Sequence, residues 1–175
     1  MSPAEPPGQI TGVNHYGIQV ADLERSVAFY EKLLGVEAEL RWVKDHQTVQ
    51  DLTGYPGLEV HGAALRIPGS EVVFEILEYR NVEKTPVDPA TANPGTAHVC
   101  FAVDDLQAMY ERVRAGGVEF ISPPLVPSSG PDRRVVYLID PDGIRVELLQ
   151  APVNLFEEPR GTVRTRAELA QGRAG

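Results

Sequence analysis

The stretch NHYGIQVADLERSVAFYEKLLGVE, residues 14 to 37, can be written without gaps above AHVCFAVDDLQAMYERVRAGGVEF, residues 97 to 120. His15, Ile18, Val20, Asp22 and Leu23 then fall on His98, Phe101, Val103, Asp105 and Leu106, each pair 83 residues apart. Self-similarity at a fixed offset is the mark of a duplicated structural unit. Alternation puts Val13, His15, Gly17 and Gln19 on one side of a strand and Ile18 and Val20 on the other, so the histidine has a defined side, expected to be an inward one. Asp22 then suits a helix N-cap, Leu23, Val27, Tyr30 and Leu34 follow at helical spacing, and Gly35 supplies the stop. The second copy repeats this with Asp105, then Leu106, Met109, Tyr110 and Val113, ended by Gly116 and Gly117. Each copy therefore reads as strand then helix.

The repeat continues at the far end of each half. SEVVFEILEY (70 to 79) follows the turn IPGS, and GIRVELLQ (143 to 150) follows the turn DPDG, so each is expected to close a hairpin. Laying VFEIL on RVELL pairs Glu75 with Glu147 at a separation of 72, so the first half carries 11 extra residues. The insertion is expected as a loop within RWVKDHQTVQDLTGYPGLEVHG (41 to 62), forming part of a substrate mouth. A glutamate set among Val, Phe, Ile and Leu needs a cation or hydrogen bonds to offset the loss of its water. Two glutamates in equivalent places imply a shared answer. If the halves face each other about a pseudo-twofold axis, two imidazoles and two carboxylates can converge on one divalent metal: zinc, iron(II), manganese, cobalt or nickel.

The remaining sequence bounds the function. A chain of 175 residues with 42% hydrophobic content can bury one core, or two half-size modules. The expected division is a leader at 1–10, a first module at 11–80, a linker at 81–95, a second module at 96–150 and a tail at 151–175, helical around RAELAQ or docked on a partner. No apolar run approaches the roughly 18 residues of a membrane span, and the start MSPAEPPGQI has no signal-peptide pattern. One cysteine, Cys100, allows neither an internal disulfide nor a cysteine-rich zinc site. The expected location is the cytoplasm. A formal charge of −9 argues against nucleic acid or an anionic membrane as partner and leaves a small-molecule substrate.

Taken together, NHYGIQVADLERSVAFYEKLLG, TAHVCFAVDDLQAMYERV and YLIDPDGIRVELL resemble the vicinal oxygen chelate superfamily, which includes glyoxalase I, epimerases, extradiol dioxygenases, fosfomycin resistance enzymes and bleomycin-binding proteins. The resemblance covers residues 11 to 150. It implies an α+β fold of two repeated βαβββ modules whose mixed sheets curl around a metal cleft, with His15, Glu75, His98 and Glu147 at the four ligand positions. It also implies a homodimer. Glutamate at position 75 resembles glyoxalase- and epimerase-type members rather than the extradiol dioxygenases, whose late first-module position is not a ligand. The implied activity is that of a metal-dependent isomerase, epimerase or glyoxalase-like lyase. It would move a proton next to a carbonyl, with Glu147 or Glu75 as the base, on a small oxygenated substrate such as a cyclitol or sugar-derived ketone. An iron(II) ring-cleaving dioxygenase and a metal-free drug-binding resistance protein are the alternatives.

Other residues carry blander expectations. His46 and His61 have no repeat partner and are assigned to the surface or the substrate loop. Glu78, aligned with Gln150, is expected to be solvated. Cys100 shares a strand face with His98 and is expected to pack rather than react. Arg41, Trp42 and Lys44, or Arg133 and Arg134, could enter a cleft, but solvated loop charges are the simpler expectation. DPDG at 140 to 143 is read as turn chemistry.

Overall fold

The computed structural model describes residues 8–127 and 132–151. Most of the expected leader and the expected tail, including RAELAQ, lie outside these residues. The chain divides into two compact units, with the boundary between Pro86 and Val87.

The first unit runs β1 (His15–Gln19), α1 (Leu23–Leu34), β2 (Leu40–Lys44), α2 (Gln47–Thr53), β3 (Glu59–Arg66) and β4 (Val73–Arg80). Its four strands lie in the order β1-β4-β3-β2, with β1 parallel to β4 and the other pairs antiparallel. Helix α1 starts where expected: the Asp22 carboxylate accepts from the Arg25 N–H, and Gly35 ends it in the left-handed conformation at φ 71°. Its buried stripe is Leu23, Ser26, Val27, Tyr30 and Leu33, so the last turn buries Leu33 rather than the expected Leu34. The helix packs on β3 and β4. Tyr30 and Tyr16 both meet Phe74, with ring centroids 4.7 and 5.9 Å away.

The second unit runs β5 (His98–Ala102), α3 (Leu106–Ala115), β6 (Arg134–Ile139) and β7 (Arg145–Gln150), with strand order β5-β7-β6. The Asp105 carboxylate caps α3 by accepting from the Ala108 N–H. The turn before β7 is organised by Asp140, whose Oδ1 accepts from the N–H groups of Asp142 and Ile144.

Both sheets are mixed and the fold is α+β, as expected, but the two units are not identical βαβββ modules. The counterpart of β2 in the second unit consists of two isolated bridges, Phe120–Leu138 and Leu125–Val135. The extra residues of the first unit are likewise not a plain loop, because they contain α2. Val49 of that helix is buried with Leu58 and Val60, and Leu77, Tyr79 and Val82 pack against this cluster. The alternation of apolar Val49 with polar Gln47, Gln50 and Asp51 gives the segment one face to bury.

Candidate metal centre

Strand pairing places each expected ligand pair. On the parallel pair β1–β4, His15 lies opposite Val73 and Gly17 opposite Glu75. On β5–β7, His98 lies opposite Arg145 and Cys100 opposite Glu147. In both units the glutamate is therefore level with the residue two beyond the histidine, and alternation brings both side chains to one face. His15 Nε2 lies 3.6 Å from Glu75 Oε2, and His98 Nε2 lies 3.0 Å from Glu147 Oε2. These are the duplicated residues, reproduced as duplicated geometry.

The face they occupy is open. His15 and His98 side chains are 49% and 44% exposed, and Glu75 and Glu147 are 25% and 17% exposed. This corrects the expectation of an inward histidine in a buried strand and of a glutamate enclosed by apolar neighbours. Ile18, at an alternate position of β1, and Phe74 and Ile76, which flank Glu75, point to the other side of the sheet and are buried there. The polar pair retains water, so its burial cost is smaller than the sequence suggests.

Other side chains sort by the same alternation. Across β3, Ala64 stands opposite Glu75 and Gly62 opposite Leu77, while Trp42 pairs with Gly62. Trp42 thus shares the Glu75 face. Its indole lies directly on Gly62, with the Lys44 ammonium 5.2 Å from the ring centroid and its Nε1–H enclosed without a hydrogen-bond partner among the described residues. The apolar cluster under α2 contains Val60, Leu77 and Tyr79 of this face, so α2 walls the end of it beyond Glu75. Arg41 turns away and pairs with Glu24 of α1 at 2.6 Å. His61 also lies on the helix side, opposite Glu78 and 3.2 Å from Glu59. His46 precedes α2 as its N-cap residue without a side-chain cap bond.

Two expectations are overturned here, and a third, that Cys100 packs rather than reacts, holds only in its second half. Glu78 is not a solvated surface charge: its Oε2 accepts the Leu23 N–H at 3.1 Å, and Arg80 grips it with two bonds of 2.9 Å. The Arg80 guanidinium first, and then the Leu23 N–H, hold its carboxyl below the usual range against some desolvation. Gln150, its counterpart, accepts the Leu106 N–H in the same way. Arg133 is not a solvated loop charge but is buried, at 6% exposure. Cys100 keeps exposed surface on the His98 face. Surrounding protein displaces enough water, and Glu147 beside it adds enough negative potential, to push the thiol up to about 12. A thiol so protonated is a poor nucleophile.

Two residues that sequence reading passed over complete the pairs. The Asn14 side-chain oxygen lies 2.9 Å from His15 Nδ1, on the opposite edge of the ring from the Nε2 that faces Glu75. In the second unit the Tyr137 phenol donates to Glu147 Oε2 at 3.0 Å. Burial first, and then the Glu147 charge, push that phenol up to about 12, so it remains a donor at neutral pH. The signal for Tyr137 was present: the DPDG turn fixes the hairpin register, which sets Tyr137 opposite Glu147.

The donors suit a divalent cation. Two ligands on one ion with bonds of about 2.1 Å, set 90 to 109° apart, stand about 3.0–3.4 Å from each other. The two nitrogen–oxygen separations fall at or near that range, and the Asn14 contact is the kind of outer hydrogen bond that orients a ligating imidazole. Each unit supplies one such pair, and among the described residues no group of three or more His, Cys, Asp or Glu is gathered as a metal cage. A depression in the second unit lined by Gln107, Pro124, Asp132, Arg134 and Gln150 contains none of the four.

Comparison with known proteins identifies the family of the chain. Residues 12–148 match the Glyoxalase/Bleomycin resistance protein/Dioxygenase superfamily, and the chain belongs to that family. It is 30% identical over 150 residues to a lactoylglutathione lyase of Pseudomonas aeruginosa, covering 81% of this chain and 83% of that one. Over 137 residues it is 28% identical to a probable lactoylglutathione lyase of Vibrio parahaemolyticus, covering 78% and 88%. Among solved structures, a glyoxalase family protein from Bacillus cereus superposes with a TM-score of 0.72 at 21% identity, covering 84% of this chain and 98% of that one. A fosfomycin resistance protein from Listeria monocytogenes, complexed with Mn(II) and 1S,2S-dihydroxypropylphosphonic acid, superposes at 0.57 with 20% identity, covering 83% and 96%.

Proposed function

We propose that His15, Glu75, His98 and Glu147 together hold one divalent metal, and that the protein is an isomerase, epimerase or glyoxalase-like lyase moving a proton next to a carbonyl. The observation that carries this reading is the repetition of one His–Glu pair, at 3.6 and 3.0 Å, on equivalent strands of two units. On this reading the two pairs share one ion, supplied by one chain or by two chains of a homodimer. The lactoylglutathione lyases among the relatives favour this chemistry over ring cleavage or simple sequestration.

A divalent cation bound by these residues supplies positive charge to a substrate carbonyl oxygen, which lowers the cost of the negative charge that develops there. A glutamate carboxylate of the set takes the proton from the adjacent carbon. Returning it to the neighbouring carbon gives isomerisation, and returning it to the opposite face of the same carbon gives epimerisation. The Asn14 contact would orient the His15 imidazole with Nε2 toward a bound cation. Trp42, Leu77 and α2 lie on the Glu75 side of the sheet and offer apolar surface to the substrate.

The test is deuterium incorporation from heavy water at the carbon beside the carbonyl, followed by NMR. Small hydroxyketones, cyclitol ketones and lactoylglutathione are each incubated with protein loaded with zinc, nickel, manganese or cobalt. Incorporation that depends on metal, and falls on the order of 10²–10⁴-fold when both Glu75 and Glu147 become Gln, is the expected result. No exchange with any substrate and metal, alongside oxygen uptake with iron(II) and a catechol, would move the assignment to a dioxygenase.

A further inference from the structure

We infer that duplication has left the two glutamates with different tasks: Tyr137 anchors Glu147 as a fixed ligand, and Glu75 is the carboxylate free to carry the proton. This rests on the proposed metal site and goes beyond it, since the repeat alone makes the two glutamates equivalent.

The difference lies in one position of the hairpin. Tyr137 stands directly opposite Glu147 on β6, and Ala64 stands directly opposite Glu75 on β3. The phenol donates to the same Glu147 oxygen that faces His98, at 3.0 Å, and the Tyr137 ring meets the His98 ring edge-on at 5.4 Å. One side chain thus fixes both members of the second pair, the carboxylate by its hydroxyl and the imidazole by its ring. A methyl group at Ala64 can do neither. The His15–Glu75 separation is correspondingly looser at 3.6 Å, and among the described residues His15 is the polar neighbour that Glu75 has. In the first unit the outer hydrogen bond goes to the imidazole instead, through Asn14.

This asymmetry has a mechanical consequence. For Glu147 to swing toward a substrate it must break the phenol bond and leave the pocket formed with His98. Glu75 can rotate about its side-chain bonds without breaking a comparable contact, and it does so on the face shared with Trp42 and bounded by α2. A base must move between cation and substrate while a ligand must stay, so Tyr137 is a positioning residue and Glu75 the catalytic one.

The test titrates metal-free protein with zinc in a calorimeter and compares wild type, Tyr137→Phe, Glu147→Gln and Glu75→Gln, each first checked by thermal melting without metal. Removing the phenol hydroxyl should weaken zinc binding roughly 10-fold or more with the melting temperature little changed. Glu147→Gln should weaken zinc binding more than Glu75→Gln does, while Glu75→Gln should retain zinc and lose deuterium exchange. Zinc affinity in Tyr137→Phe within about 2-fold of wild type, or Glu75→Gln losing zinc as severely as Glu147→Gln, would overturn the division of roles and leave the metal site standing. Wild-type protein that takes up no zinc, nickel, manganese or cobalt would overturn the site itself and this inference with it.

Discussion

Gly62 shows how one missing side chain shapes the ligand face. A Cβ there would sit 2.3 Å from Trp42 Cε2, so the indole reaches the sheet only because position 62 has no side chain. Gly62→Ala should force the ring off and lower stability by about 1–3 kcal/mol, read by denaturant unfolding with tryptophan fluorescence reporting the displacement. Glu78 carries a pH signature. Because its carboxyl titrates below the ordinary 4.5 in the folded chain, the unfolded chain binds more protons in that interval. Its contribution is present above that value and is lost as the pH falls through the folded-state pKa. Melting temperatures measured from neutral to acid pH should fall less steeply below about 4.5 in Glu78→Gln than in wild type; parallel curves would show that Glu78 does not drive the loss. Neither feature could be read from spacing alone. Glu78 looked solvated because alternation reports which face a residue takes, and not that the N-terminal N–H groups of α1 wait on that face for an acceptor.

At the scale of elements, most of the fold was legible. The strand–helix units, the Asp22 and Asp105 caps and the two hairpins follow from local chemistry, because a cap, a left-handed glycine and a tight turn each depend on a few adjacent residues. Asp22→Ala should cost about 1 kcal/mol in unfolding free energy, measured by denaturant titration, without changing metal uptake. The misreadings arose where tertiary packing decides. Leu33 takes the buried place expected for Leu34 because the stripe of α1 is centred on Ser26 and Tyr30, whose small and large side chains set how the helix sits on the sheet. Helix α2 was read as loop because its seven residues bury a single valine. The second unit lost a regular edge strand through irregular pairing at Phe120 and Leu125, which no propensity signals.

At the scale of the whole molecule, the duplication is the source of the proposed chemistry. The two His–Glu pairs were legible in the sequence because each half repeats the same pair; Tyr137 could be reached only by extending the hairpin register from the DPDG turn, and Asn14 and Ala64 carry no signal until strands are paired. Each chain carries one copy of each ligand, so the expected stoichiometry is the same whether a site forms within a chain or between two. The most direct measurement is metal content by elemental analysis of purified, metal-reconstituted protein, comparing wild type with His15→Ala, Glu75→Ala, His98→Ala and Glu147→Ala. About one equivalent of a divalent metal per chain in wild type, reduced by each substitution and least by Glu75→Ala, is the predicted result. Absence of metal after reconstitution, or metal content that none of the four substitutions alters, would contradict it.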